Sequence, residues 1–126
     1  MTDYEFHVVG IGNAIVDVLA QTEDAFLEEN GLTKGAMTII NTETAENLYS
    51  KMGSAMEVSG GSAANTIAGL AALGGQGAFV GKIQGDQLGD VFSHDIRAIG
   101  VHFETQSGRT GTPTARSFIF VTPDAE

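Results

Sequence analysis

Cysteine and tryptophan are absent from this chain, and proline occurs only twice in 126 residues. Without cysteine there is neither a disulfide framework nor a thiolate metal site. Basic residues are scarce as well: six Lys and Arg stand against sixteen Asp and Glu, a net charge of −10. Such a field repels nucleic acid, and no basic run offsets it. No apolar run approaches the roughly 18 residues that a membrane span requires. The opening MTDYEFHVVG is acidic and turns apolar too briefly for a secretory signal. We therefore expect a soluble, cytoplasmic protein with no nucleic-acid or membrane partner. An apolar fraction of 42% with 17% charged residues is that of a globular chain. The length allows one domain around one core.

The order of apolar runs and helical stripes predicts an α/β fold. Residues 6–11, rich in valine and ending at Gly12 and Asn13, read as a buried strand. Residues 16–22 read as a second extended piece, and 24–30 as a short helix closed by Gly31. Residues 36–40 are again strand-like. Asn41 or Thr42 can cap a helix whose Ala45, Leu48, Tyr49 and Met52 share a face, with Gly53 at its end. Residues 77–83 read as another buried strand. Asp86 then caps a helix with the stripe Leu88, Val91, Phe92, Ile96 and Ile99, stopped by Gly100. Residues 101–105 alternate, and 114–122 form a strong strand. That strand runs into a Pro-Asp turn where a hairpin partner should come next, so we expect the sequence to be an N-terminal piece of a longer protein.

Glycine, in contrast, is abundant, with seventeen residues, and it is concentrated in "SGGSAANTIAGLAALGG" at 59–75. A phosphate loop would need G-x-x-x-x-G-K-S/T, but Gly69 and Gly74 are followed by Gly75 and Gln76. The "GIGNAI" stretch has the first two glycines of a dinucleotide fingerprint, Gly10 and Gly12, with Ile15 in place of the third. An extended run comes after it rather than a helix, which disfavours that reading. Gly60, Gly61 and Ser62 instead fall at a helix N-terminus, where backbone N–H groups are unpaired and the missing side chains allow close approach. Asn65, in the first turn, can both donate and accept. With no basic side chain nearby, this set suits polyol hydroxyls better than phosphate. The same residues equally suit a tight turn into a closely packed helix. Asp17, flanked by Val16 and Val18, falls by alternation on a solvent face; with Asn13 it also puts polar groups where open α/β sheets bind ligands. His7, His94 and His102 have no metal-ligand spacing, and Asp86 is accounted for as a helix cap.

Three stretches in order, "VVGIGNAIVDVLAQTEDAFLEENGL", "SGGSAANTIAGLAALGG" and "VGKIQGDQLGDVF", resemble the N-terminal half of ribokinase-like (PfkB-type) sugar and nucleoside kinases. The G-x-G-N-x-x-x-D opening resembles the adenosine kinase branch in particular. The resemblance implies a ribokinase-like layered sheet with helices and a small β-sheet lid, its strands near 16–22, 36–40, 101–105 and 114–122. It implies substrate contacts from Asn13, Asp17, Gly60, Gly61, Ser62 and Asn65, with Ile15 and Met37 on the apolar side of the substrate. It also implies ATP and Mg²⁺ as cofactors, a sugar or nucleoside such as adenosine as substrate, and a possible homodimer through the lid. The family's catalytic aspartate lies in a D-T-x-G-A-G-D segment that these residues do not contain. The expectation is therefore a substrate pocket with no catalytic residue and no ATP-binding part, inactive alone. A non-catalytic sugar- or nucleoside-binding module is the alternative.

Overall fold

A computed structural model of the chain describes residues 3–126. Its elements run β1 (Val8–Ile11), β2 (Ile15–Gln21), α1 (Asp24–Glu29), α2 (Thr42–Lys51), β3 (Ala55–Gly60), α3 (Ser62–Ala72), β4 (Gly77–Val80), α4 (Gln87–Ala98) and β5 (Ala115–Val121). The α/β class expected from the alternation is what the chain adopts. The described strands form two sheets, a parallel pair β1–β4 and a three-stranded sheet in the order β3-β2-β5. The chain divides into two compact units. The larger comprises the chain up to Asp17 and Glu57–Ser117; the smaller comprises Val18–Met56 and Phe118–Glu126.

In the larger unit, β1 and β4 pair from Val8 opposite Gly77 to Ile11 opposite Val80. Helix α3 lies on this pair, and its seat is cut by glycine. A β-carbon at Gly10 would stand 2.8 Å from Ile67, and one at Gly77 2.7 Å from the same side chain. Behind β4, Phe79, Phe92 and Phe103 form a three-ring cluster with centroids 5.4–6.0 Å apart. Phe92 belongs to the α4 stripe, of which Leu88 and Ile96 are also buried. The Arg97 Nε–H donates to the Phe103 carbonyl at 2.8 Å, tying the end of the helix to the segment after it.

In the smaller unit, Val18 and Ala20 of β2 pack with Leu27, Ala45 and Leu48 as its buried apolar residues. Phe120 lies 5.1 Å from Phe26, and Phe118 stacks on Tyr49 at 6.1 Å. Asn41 caps α2 by accepting the Thr44 N–H at 2.8 Å, and Gly31 succeeds α1 with φ +65°. Lys34 bridges Asp24 at 2.8 Å and Asp124 at 2.6 Å, holding the segment after β5 against the turn after α1.

Three expectations are corrected. Residues 36–40 form no strand, and Met37 and Ile39 are each 89% exposed. β-propensity needs a neighbour to pair with, and none of β3, β2 and β5 pairs with this segment. Residues 101–105 form no strand in the three-stranded sheet either. His102 makes a single parallel bridge to Ala78 in the larger unit, with Val101 and Phe103 buried beside it. Their alternation records a core-facing stop after α4. The first strand is not buried on both faces: Val9 is 53% and Ile11 78% exposed, because α3 covers only the side on which Gly10 lies. Strand β3, in turn, is legible in the sequence only as an extended piece before Gly60.

The ion pair makes a pH prediction. The hydrogen bond from Lys34, with a second from Thr122, lowers the Asp124 carboxyl from 3.8 to about 2. A carboxyl depressed in the fold stabilises it above the unfolded value and loses that contribution as pH falls towards the folded one. Asp124→Asn should therefore lower the thermal midpoint above pH 4, and the parent and variant midpoints should converge as pH falls to about 2. A constant offset across that range in thermal scans would contradict this origin.

Candidate functional site

The site is built from three consecutive pieces of the larger unit. Strand β2 alternates, placing Val16 in the interior and Ile15 and Asp17 on the half-exposed face. The expected solvent-side placement of Asp17 is thus what the strand adopts. Beside it, β3 ends at Gly60, and there the absence of a side chain is a requirement. A β-carbon at residue 60 would lie 2.8 Å from the Asp17 carboxyl carbon and 3.0 Å from Oδ1, with Oδ2 nearer still. The carboxylate occupies the volume that any other residue would fill.

Gly61 makes the turn into α3 with φ +100° and ψ 143°, a combination that side chains disfavour. A β-carbon there would meet the Asn13 carbonyl oxygen at 2.7 Å and the Ile15 β-carbon at 3.9 Å. The loop between β1 and β2 therefore packs against the backbone of the glycine pair. No side chain caps α3 at Gly61, and the first intrahelical bond runs from the Asn65 N–H to the Gly61 carbonyl at 2.8 Å. The N–H groups of the first turn are left for water or a ligand. Ala64 and Ile67 face the interior while Ser62 and Asn65, three residues apart, are exposed on a common side.

The structure thus gathers Asn13, Ile15, Asp17, Gly60, Gly61, Ser62 and Asn65 at one strand–helix junction. Met37 belongs to the smaller unit, exposed in a segment without regular structure. The only charge among the gathered residues is that of Asp17. A carboxylate accepts from hydroxyls, uncapped amides donate to oxygen, and Asn65 does both. A pair of neighbouring hydroxyl groups, each donating once and accepting once, matches that set, whereas phosphate would face Asp17 without a compensating cation. Gly10 and Gly12 are explained without a dinucleotide: they make room for Ile67 and for Ala63, whose Cβ would stand 2.9 Å from a β-carbon at residue 12.

Two acidic side chains beyond the sequence-derived set act on this frame. Asp86 accepts the Gly89 N–H at 2.8 Å as the expected cap, and it also accepts the Thr114 hydroxyl at 2.7 Å and the Thr114 N–H at 3.0 Å. Burial pushes the Asp86 carboxyl up, but the Thr114 and Gly89 hydrogen bonds and the charge of Arg116 outweigh it and hold it below its ordinary value. Asp95 accepts the Ser59 N–H at 3.0 Å, one residue before the glycine pair. Nothing in the sequence marks this contact, since an aspartate on a polar helix face reads as solvated. Among the described residues no three acidic or imidazole side chains stand together as metal ligands, and no helix is long and apolar enough to cross a membrane.

Comparison with known proteins bears on the family and the fold. Residues 30–126 match the sequence profile of the pfkB family carbohydrate kinases. The adenosine kinase from Sinorhizobium meliloti superposes with a TM-score of 0.82 at 60% identity, over 96% of this chain and 37% of that one. A probable sugar kinase from Rhizobium etli CFN 42 gives 0.82 at 56% identity, over 95% of this chain and 36% of that one. Adenosine kinase 2 of Arabidopsis thaliana is 29% identical over 124 residues, 88% of this chain and 34% of the relative. The chain thus spans about a third of the length of these relatives.

Replacing Gly61 tests the junction directly. Gly61→Ala should destabilise the chain by about 1–3 kcal/mol from the backbone conformation alone, with the Asn13 carbonyl contact added. Gly53→Ala, at a glycine with nothing within 4 Å and no positive φ, should change stability by less than about 0.5 kcal/mol. Urea unfolding of the two variants separates these outcomes.

Proposed function

The chain belongs to the pfkB family of carbohydrate kinases, and from that footing we propose that it carries the substrate clamp of an ATP-dependent nucleoside or sugar kinase. Adenosine is the first candidate substrate and ribose or another sugar the next. The observation that carries this reading is the Asp17 carboxylate standing over the bare Gly60 backbone, one residue before an uncapped helix N-terminus. The names of the relatives, two adenosine kinases and a probable sugar kinase, support the same substrate class.

In this reading the chain's own contribution is binding and orientation. Asp17 accepts hydrogen bonds from two sugar hydroxyls, which fixes the ring about two points. Asn65 and the amides at the start of α3 donate to the same oxygens, and Ile15 lies against the apolar side of the substrate. A sugar held in this way presents its remaining primary hydroxyl in a constant direction, which is the positioning that phosphoryl transfer requires. The three-stranded sheet β3-β2-β5 serves as the lid, and pairing of two copies through its outer strands belongs to the same reading.

ATP would supply the phosphoryl group and Mg²⁺ would neutralise it. The described residues do not fit either: there is no metal-ligating cluster among them, and the sequence has no glycine loop followed by lysine and a hydroxyl. We assign the chain no catalytic base and no anion-binding role.

Isothermal titration of the chain with adenosine and with ribose tests the clamp. Saturable binding is expected, and Asp17→Ala should weaken it at least tenfold, about what one or two charge-assisted hydrogen bonds are worth. Asn65→Ala should weaken it less, because the helix amides remain. Binding that is indifferent to both substitutions would remove the clamp assignment.

A further inference from the structure

Helix α4 takes no part in the clamp, yet two of its acidic side chains, beside an exposed Gln87–Glu57 hydrogen bond of 3.3 Å, accept main-chain N–H groups from the sheet that holds it or the residue leading into it. At its N-terminus, Asp86 accepts the Thr114 hydroxyl at 2.7 Å and the Thr114 N–H at 3.0 Å. Thr114 is 3% exposed and immediately precedes β5. Its hydroxyl oxygen also accepts the Gln84 N–H at 2.9 Å, so the hydroxyl both donates and accepts within this knot. Gly89 is part of the knot: a β-carbon there would stand 3.1 Å from both Asp86 Oδ1 and the Thr114 hydroxyl and would collide with the Gln84 carbonyl. Nine residues further along, about 13 Å at the rise of an α-helix, Asp95 accepts the Ser59 N–H at 3.0 Å. Its other oxygen faces His94 Nδ1 at 3.5 Å.

The two anchored strands, β3 and β5, are the two neighbours of β2, and β2 carries Asp17. We propose that α4 is a two-point brace in which Asp86 and Asp95 act as positioning residues, setting where the strands on either side of Asp17 lie and hence the geometry of the clamp. The inference rests on the clamp reading above for its functional meaning, and on the tethers alone for its mechanics. Both tethers join segments remote in sequence, 28 and 36 residues apart, so neither is a local turn contact. Both grip a backbone N–H, so they place main chain rather than a rotamer. The Asp95 tether falls one residue before Gly60, where a small displacement would close the space the Asp17 carboxylate occupies.

Two readouts on the intact chain separate positioning from a merely structural role. Hydrogen exchange reports the amides of residues 59–62 and 114–116, and titration with adenosine reports the clamp. Asp95→Ala is expected to speed exchange at 59–62 and to weaken adenosine about tenfold, with little change in the thermal midpoint. Asp95→Asn keeps an oxygen for the Ser59 N–H and should restore both readouts. Asp90→Ala, which removes a charge from the same helix and no tether, should leave both at the parent level. Asp86→Asn keeps an acceptor for Gly89 but turns an N–H towards the Thr114 amide, so exchange at 114–116 should rise.

Unchanged exchange and affinity in Asp95→Ala would overturn the brace, as would an equal loss in Asp90→Ala, which would trace the effect to charge. If Asp95→Ala does not fold, Asp95→Leu supplies the bulk without the acceptor and decides the same question against Asp95→Asn. If the parent chain does not bind adenosine or ribose, the clamp reading falls while exchange at 59–62 still decides the brace.

Discussion

Everything at the candidate site depends on the absence of two β-carbons. With any side chain at residue 60, the Asp17 carboxylate would lose its place. With any side chain at residue 61, the chain could not turn at φ +100° so close to the Asn13 carbonyl. Together these bare positions let a strand pass into a helix with no linking loop. The helix then starts beside a carboxylate rather than beside a capping side chain. The partial positive charge of the exposed amides favours an anionic neighbour, and Asp17 stands beside Gly60, at the strand end that leads into them.

Glycine has a second, separate use in the same unit. Gly10 and Gly77 lie on adjacent strands and both make room for Ile67, which sets α3 directly on the β1–β4 pair. Gly12 does the same for Ala63. The helix that carries Ser62 and Asn65 is thus seated on the strand pair through glycines outside the candidate site. The G-x-G of the first strand, which invites comparison with a pyrophosphate loop, is a packing device here. The next element is another strand, β2, so no helix N-terminus is present there to receive a phosphate.

Features with a local physical cause are legible in the sequence. The Asp86 cap of α4, the Asn41 cap of α2 and the glycine after α1 depend on residues within a turn of one another, and each is found where its pattern places it; of the α4 stripe Leu88, Phe92 and Ile96 are buried, while Val91 is half-buried and Ile99, at the C-cap, is exposed. The glycine-pair junction is legible for the same reason. Features set by partners far along the chain are not. Residues 36–40 have the composition of a strand, but a strand exists only where the segment is brought alongside a neighbour's edge, and this one pairs with no strand. β3 (AMEVSG) is the converse, a sequence of weak strand character held in the sheet by pairing with β2. The Asp95 contact lies deepest in this category, since its acceptor is a helix-face aspartate and its donor is a backbone amide 36 residues away.

That last contact bears on how such a site tolerates change. β3 exposes Met56 and Val58, while its Glu57 accepts from Gln87 of α4 at 3.3 Å. Its end is also tethered through a main-chain N–H, a group that every residue except proline provides. The strand can therefore vary in sequence while Gly60 keeps its position, provided the acceptor on α4 is kept. The same holds at Thr114, where one of the two bonds to Asp86 comes from the backbone. On the proposed reading, geometry at the candidate site rests on α4 and on two missing β-carbons more than on the side chains of the strands that border it. The few residues that must stay fixed are then glycines and acids, the two kinds in which this chain is rich.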